Sequence, residues 1–251
     1  MSVELIPGGK FPLTVATPVL PAPGIWAPDS PLPLAAIGAV VTPPLGWIWD
    51  GDAAEVRPRP GAIVWEPPRR PLERFLERLR RERDPHPRIV TLAADGPRQV
   101  ADAALLVEAE ADVAALLIWW QPSTRPADLL TAVRSMTALP LLVELPADLA
   151  PARARAVAAA GADALLIGPP RALLSGGRPA RLWGPAILPL VERALDSLAN
   201  RGPPLPLLAA GGIASGDDAL RLCEAGAVAV AVGPEWWVQP DLPDQIAAAL
   251  A

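Results

Sequence analysis

The stretch Leu205–Pro234 reads LPLLAAGGIASGDDALRLCEAGAVAVAVGP. A short apolar run ends in Gly211-Gly212, a helical stretch opens near Ser215-Gly216-Asp217, and a second apolar run, Ala227–Val232, ends in Gly233-Pro234. Continuous apolar runs, in contrast to alternating ones, are buried on both faces and so belong to a parallel sheet covered by helices. The stretch is therefore a βαβ unit, with the acidic residues of SGDD capping its helix. AGADALLIGP (160–169) echoes AGAVAVAVGP (225–234) in Ala-Gly-Ala, a later Ala and Gly-Pro. In both, a helix ends at a glycine suited to a C-cap and a buried strand follows.

Working outward, further runs of the same kind are TPVL (17–20), GAVVT (38–42), RIVTL (88–92), AALLIW (114–119), LLVEL (141–145) and DALLIG (163–168). With PLLAAGG (206–212) and AVAVAVG (227–233) they make eight. Stretches rich in Ala, Leu, Glu and Arg separate the later ones: Arg98–Glu110, Ala127–Ala138, Pro151–Ala160, Pro185–Ala199 and Asp217–Ala225. This order predicts an α/β fold, a closed (β/α)8 TIM barrel. VELIPGGKFPLTV (3–15) adds two short strands around a Pro-Gly-Gly turn, an N-terminal β-hairpin. No linker or composition break divides residues 1–251, which reads as one domain.

Composition narrows the function classes. The chain has 251 residues, a net charge of −5, one cysteine (Cys223), one histidine (His86), no tyrosine and 34 prolines. The acidic balance argues against nucleic-acid binding, and RFLERLRRERDPHPR (74–88), with glutamates at helical spacing, reads as a solvated helix face. No apolar run reaches membrane-spanning length and no signal peptide is visible. A single cysteine allows no intrachain disulfide and no cysteine-built metal site, so a cytoplasmic location and no metal are expected. Prolines in the connections stiffen the unfolded chain, which suits a heat-tolerant protein. Glycine turns after the seventh and eighth strands either bind a phosphate through free backbone N–H groups or simply make tight turns.

These residues also carry a family resemblance. GGIASGDDALRLCEAGAVAVAVG (211–233) resembles the closing segment of the dihydroorotate dehydrogenase family, whose members are FMN-containing (β/α)8 barrels of pyrimidine biosynthesis. LWGPAILPLVERAL (182–195) resembles that family's Gly-Pro-Ala helix start, and TPVLPAPG (17–24) its first strand. The resemblance implies that Ala22 and Gly24 line the flavin, that Gly184 sits near it, and that Gly211, Gly212 and Gly233, with Pro234 beside them, hold the FMN phosphate. It also implies a cytoplasmic flavin oxidoreductase, as a homodimer or paired with a related subunit.

At the redox end the family pattern is broken. Its catalytic cysteine or serine aligns with Gln121, whose amide does not ionise usefully, and Ser123 two residues on has no histidine to activate it. The family's strand-five lysine is replaced by Glu144, its Thr-Lys by Thr42-Pro43, its Asn-Thr by Gly168-Pro169, and an asparagine by Val64 in GAIV (61–64). Trp26, Trp47, Trp49, Trp65, Trp119, Trp120 and Trp183 all fall near the rim where a flavin ring would lie. Their indoles either fill that volume or stack on a planar ligand. Two functions follow as expectations: an FMN oxidoreductase with altered activity, or a non-catalytic barrel that binds a small phosphorylated ligand or serves as a partner or regulatory subunit.

Overall fold

The computed structural model describes residues 2–7, 12–28, 30–47, 55–82, 84–93, 96–110, 112–120 and 125–251. The eight expected runs form the barrel strands β1 (Val19–Pro21), β2 (Val40–Val41), β3 (Arg88–Ala93), β4 (Ala115–Trp119), β5 (Leu141–Pro146), β6 (Ala164–Gly168), β7 (Leu207–Ala210) and β8 (Ala227–Val232). Parallel pairing runs from β2 through β8 and returns to β1, with Val230 opposite Val19 and Val232 opposite Pro21. The seam between β1 and β2 is joined by the Gly38 N–H, which donates to the Val19 carbonyl at 2.8 Å. A Cβ on Gly38 would lie 2.1 Å from the Thr17 carbonyl oxygen, so the seam closes only on glycine.

One side chain from each strand (Leu20, Val41, Ile89, Leu117, Leu142, Leu166, Leu208 and Ala231) meets at the barrel axis, leaving about 10 Å³, no more than a water occupies. This layer explains why the strands carry no polar alternation: both of their faces are dry. Around them lie α1 (Leu72–Arg81), α2 (Pro97–Glu110), α3 (Pro126–Arg134), α4 (Ala150–Ala159), α5 (Leu188–Ala199), α6 (Gly216–Glu224), α7 (Glu235–Val238) and α8 (Leu242–Ala249). In α1 the residues Leu72, Phe75, Leu76 and Leu79 are buried and the arginines point outward, as the basic stretch suggested.

Two helices differ from the sequence reading. α3 stops at Arg134, where the Met136 and Thr137 N–H groups turn back onto the Val133 carbonyl. Pro140 follows and disfavours helical backbone at Leu139. Pro185–Ile187 is a 3₁₀ turn that leads into α5. The N-terminal hairpin is present as Val3–Ile6 antiparallel to Leu13–Val15.

An element the sequence analysis did not anticipate is a four-stranded antiparallel sheet, in the order Arg171–Leu173, Pro179–Trp183, Ala62–Trp65, Val56–Arg59. Alternate residues face opposite sides of a strand. Arg181, Trp183 and Trp65 therefore share the face turned to the barrel mouth, while Val64, Ala180 and Leu174 form a small second core behind it.

Candidate functional site

Barrel enzymes place their chemistry at the C-terminal ends of the strands. Here those ends carry a buried polar pair. The Arg181 Nε donates to Glu144 Oε1 at 3.0 Å, and its Nη2 donates to Glu144 Oε2 and to the Trp120 carbonyl, each at 2.9 Å. Both side chains are fully buried, so the bidentate geometry is what offsets their desolvation. Burial pushes the Glu144 pKa up and the Arg181 charge opposes it. The guanidinium also stands 5.0 Å from the centre of the Trp119 ring, a cation–π contact. Trp119 Nε1 in turn donates to Glu66 Oε1 at 2.7 Å.

Toward β1 and β8 the mouth is covered by indoles. Trp65 meets Trp183 at 5.6 Å between ring centroids and Trp237 edge-on at 5.1 Å. Trp183 Nε1 donates to the Trp65 carbonyl at 3.2 Å. Trp26, Trp119 and Trp120 are buried, whereas Trp47 is 45% exposed, its indole N–H donating to the Gln99 carbonyl at 2.9 Å.

The residues expected to hold a ligand come together at this rim. Ala22 is buried and its N–H closes the barrel on the Val232 carbonyl at 2.8 Å. A Cβ on Gly24 would meet Pro67 at 2.4 Å, and one on Gly211 would meet Ile187 at 2.7 Å. Gly184 and Gly212 have φ of 115° and 84°, and their Cβ positions fall 2.7 Å from the Gly61 carbonyl oxygen and 2.6 Å from the Leu188 backbone nitrogen. These last two glycines are required by both backbone conformation and space. Gly233 faces Trp183 Cε3 at 2.6 Å and Glu235 Oε2 at 2.8 Å, measured from the same position. Pro234 is buried beside it and has no N–H to offer an anion.

The start of α6 is capped by its own side chains. Ser215 Oγ accepts from the Asp218 N–H at 3.2 Å, and Asp218 Oδ2 accepts from the Ala214 N–H at 3.0 Å. The N-cap is thus Ser215, and of the acidic residues of SGDD it is Asp218 that joins the cap. Beside this cap, both carboxylate oxygens of Glu235 are buried without a well-formed hydrogen bond. Burial raises the Glu235 pKa to about 7; the N–H groups of Glu235 and Gly184 pull it down and the Asp218 charge pushes it up.

Gln121, Ser123 and Trp49 lie outside the described residues. His86, the one histidine, precedes β3 at the opposite end of the barrel, where its Nδ1 sits 2.6 Å from Asp84 Oδ1. Sequence reasoning missed Arg181 and Glu235. The first has only a weak alternating signal in PARLW, and the second follows Gly233-Pro234 so closely that it reads as the start of the next helix. Among the described residues no group of three or more His, Cys, Asp or Glu is placed to hold a metal, and no helix is long and apolar enough to cross a membrane.

Comparison with known proteins agrees with this architecture. The sequence model of the family described as dihydroorotate dehydrogenase matches residues 176–251. Dihydroorotate dehydrogenase A (fumarate) of Lacticaseibacillus paracasei is 35% identical over 133 residues, 48% of this chain and 45% of that protein. The catalytic subunit of dihydroorotate dehydrogenase B (NAD(+)) of Pelobacter propionicus is 37% identical over 132 residues, 46% of this chain and 42% of that protein. The matched stretch thus spans less than half the length of these relatives. The crystal structure of DHODH from Eimeria tenella in complex with ferulenol superposes on 99% of this chain and 83% of its own, with a TM-score of 0.75 and 18% identity, and so shares the fold. The chain thus shares the barrel fold of a dihydroorotate dehydrogenase over nearly its whole length, and its residues 176–251 are similar in sequence to the dihydroorotate dehydrogenase family.

Proposed function

We propose that this chain is a non-catalytic barrel of the dihydroorotate dehydrogenase type that acts as a binding or regulatory partner and carries out no flavin chemistry. The observation that carries the reading is the fully buried Glu144–Arg181 pair under Trp119. By the family resemblance, a lysine beside the flavin would stand at position 144. Glu144 stands there instead, its carboxylate held in a neutral pair by Arg181 from the accessory sheet, so the position offers an anionic reduced flavin no lysine.

The residues at the rim do not fit a flavin mononucleotide. Pro67 and Trp65 crowd Gly24, Trp183 and Glu235 crowd Gly233, and the Ala214 N–H is already given to Asp218. Filling a barrel mouth with indoles and a bidentate ion pair is the alternative to an open ring site, since protein interiors leave few voids. The partner is a second copy of this chain or a related subunit, and the setting is the cytoplasm. A relative described as a catalytic subunit is consistent with such an assembly.

The purified chain is expected to be colourless, to take up no added FMN, and to leave dihydroorotate unoxidised. Flavin absorbance in the visible, or turnover of dihydroorotate, would overturn the reading. One observation favours the other function, an FMN oxidoreductase with an altered substrate. The matched segment 176–251 includes the glycine turns after β7 and β8, and Gly211 and Gly212 keep their left-handed backbone. The same absorbance and turnover measurements separate the two.

A further inference from the structure

We propose that Glu235 is a specificity-determining residue. Its carboxylate occupies the anion cup between the β7 and β8 loops and so excludes phosphate-bearing ligands from it. This rests on the reading that no flavin occupies the rim.

The cup has the parts expected of a barrel phosphate site: glycine turns after β7 and β8 and the start of α6 close by. Its contents are the chain's own. Glu235 Oε2 lies 2.8 Å from the point where a Cβ on Gly233 would stand, and both oxygens of that carboxylate are shielded from solvent. The Gly184 N–H, on the far wall, faces the same carboxylate. A second acid, Asp218, engages the Ala214 N–H and the Ser215 hydroxyl.

A phosphate entering this space would displace Glu235 or share it with two carboxyl groups. Like charges a few ångströms apart in a site of low dielectric repel strongly. Pro234 adds to the exclusion, because the backbone next to Gly233 offers no donor there. The cup is therefore selective by charge and by volume, and Glu235 supplies both.

The test is inorganic phosphate binding at pH 8, followed by calorimetry, for the full-length wild type, Glu235→Ala and Glu235→Gln. Glu235→Ala, which removes charge and volume, is expected to bind phosphate at least about tenfold more tightly than the wild type. Glu235→Gln keeps the volume and removes the charge, so its gain is smaller but in the same direction. It also serves if the alanine variant does not fold. Folded variants, checked by near-ultraviolet circular dichroism, that bind phosphate no better than the wild type overturn the inference. Wild type that binds phosphate as tightly as Glu235→Ala overturns it too. FMN uptake by the wild type, measured separately, would overturn the proposed function and this inference together, whereas a failed phosphate comparison with no FMN uptake overturns the inference alone.

Discussion

Replacing Glu235 by glutamine tests how the rim is charged. Burial foremost, with repulsion from Asp218, holds the Glu235 carboxyl at a pKa of about 7 against an ordinary value of 4.5. A carboxyl whose pKa is raised by folding binds its proton more tightly in the native state. Its contribution is therefore fully present below about pH 4.5 and is lost as pH rises through about 7. At about 1.4 kcal/mol per pH decade, ionising Glu235 costs the fold roughly 3 kcal/mol by pH 8. Glutamine has nearly the same shape and never ionises. Urea unfolding followed by tryptophan fluorescence at pH 5, 6, 7 and 8 measures the difference between the two proteins, which cancels the titration of every other group. The two are expected to be about equally stable at pH 5. By pH 8 the glutamine variant leads by roughly 3 kcal/mol, or roughly 6–12 °C in Tm for a domain of this size. Parallel curves for wild type and variant across that range would refute the reasoning, because Glu235 would then ionise in the fold at no cost.

Further outcomes follow from the same mouth. Glu144→Leu or Arg181→Met alone is expected to cost about 3–5 kcal/mol by leaving its partner buried and unpaired, whereas the two together are near neutral. Additive single effects in the urea double-mutant cycle would show that the two do not act as a pair. Glu144→Lys restores the family's residue type but places it against Arg181, so its Tm falls and it gains no flavin absorbance; a stable yellow variant would contradict this. Gly212→Ala, whose new Cβ would sit 2.6 Å from the Leu188 nitrogen, is expected to be more destabilising than Gly202→Ala, which has a similar left-handed backbone but nothing within 4 Å. Equal thermal midpoints would mean that crowding at Gly212 is relieved cheaply.

The barrel was legible because its signal is local. LLVELP, ALLIG and AVAVAV are continuous apolar runs, and each became a strand with its expected neighbour. The capping of α6 was equally local, since Ser215 and Asp218 are three residues apart. The accessory sheet carries no such signal. Val56–Arg59 and Pro179–Trp183 contain prolines and arginines and alternate weakly, and the pairing of Trp65 with Arg181 joins positions far apart in the chain. Glu144 was identified as a departure from the family, yet nothing in LLVELP indicates that an arginine would neutralise it.

Order, periodicity and glycine placement determined by themselves that this chain curls into an eight-stranded barrel with glycine turns at its mouth. Apolar burial and backbone conformation act over a few residues, so they are written in the local pattern. What occupies the mouth was decided only by the tertiary structure. Arg181 reaches Glu144 and Trp183 settles on Gly233 because barrel closure and the accessory sheet bring those positions together. Periodicity has no access to such contacts, for they depend on how distant segments share a volume.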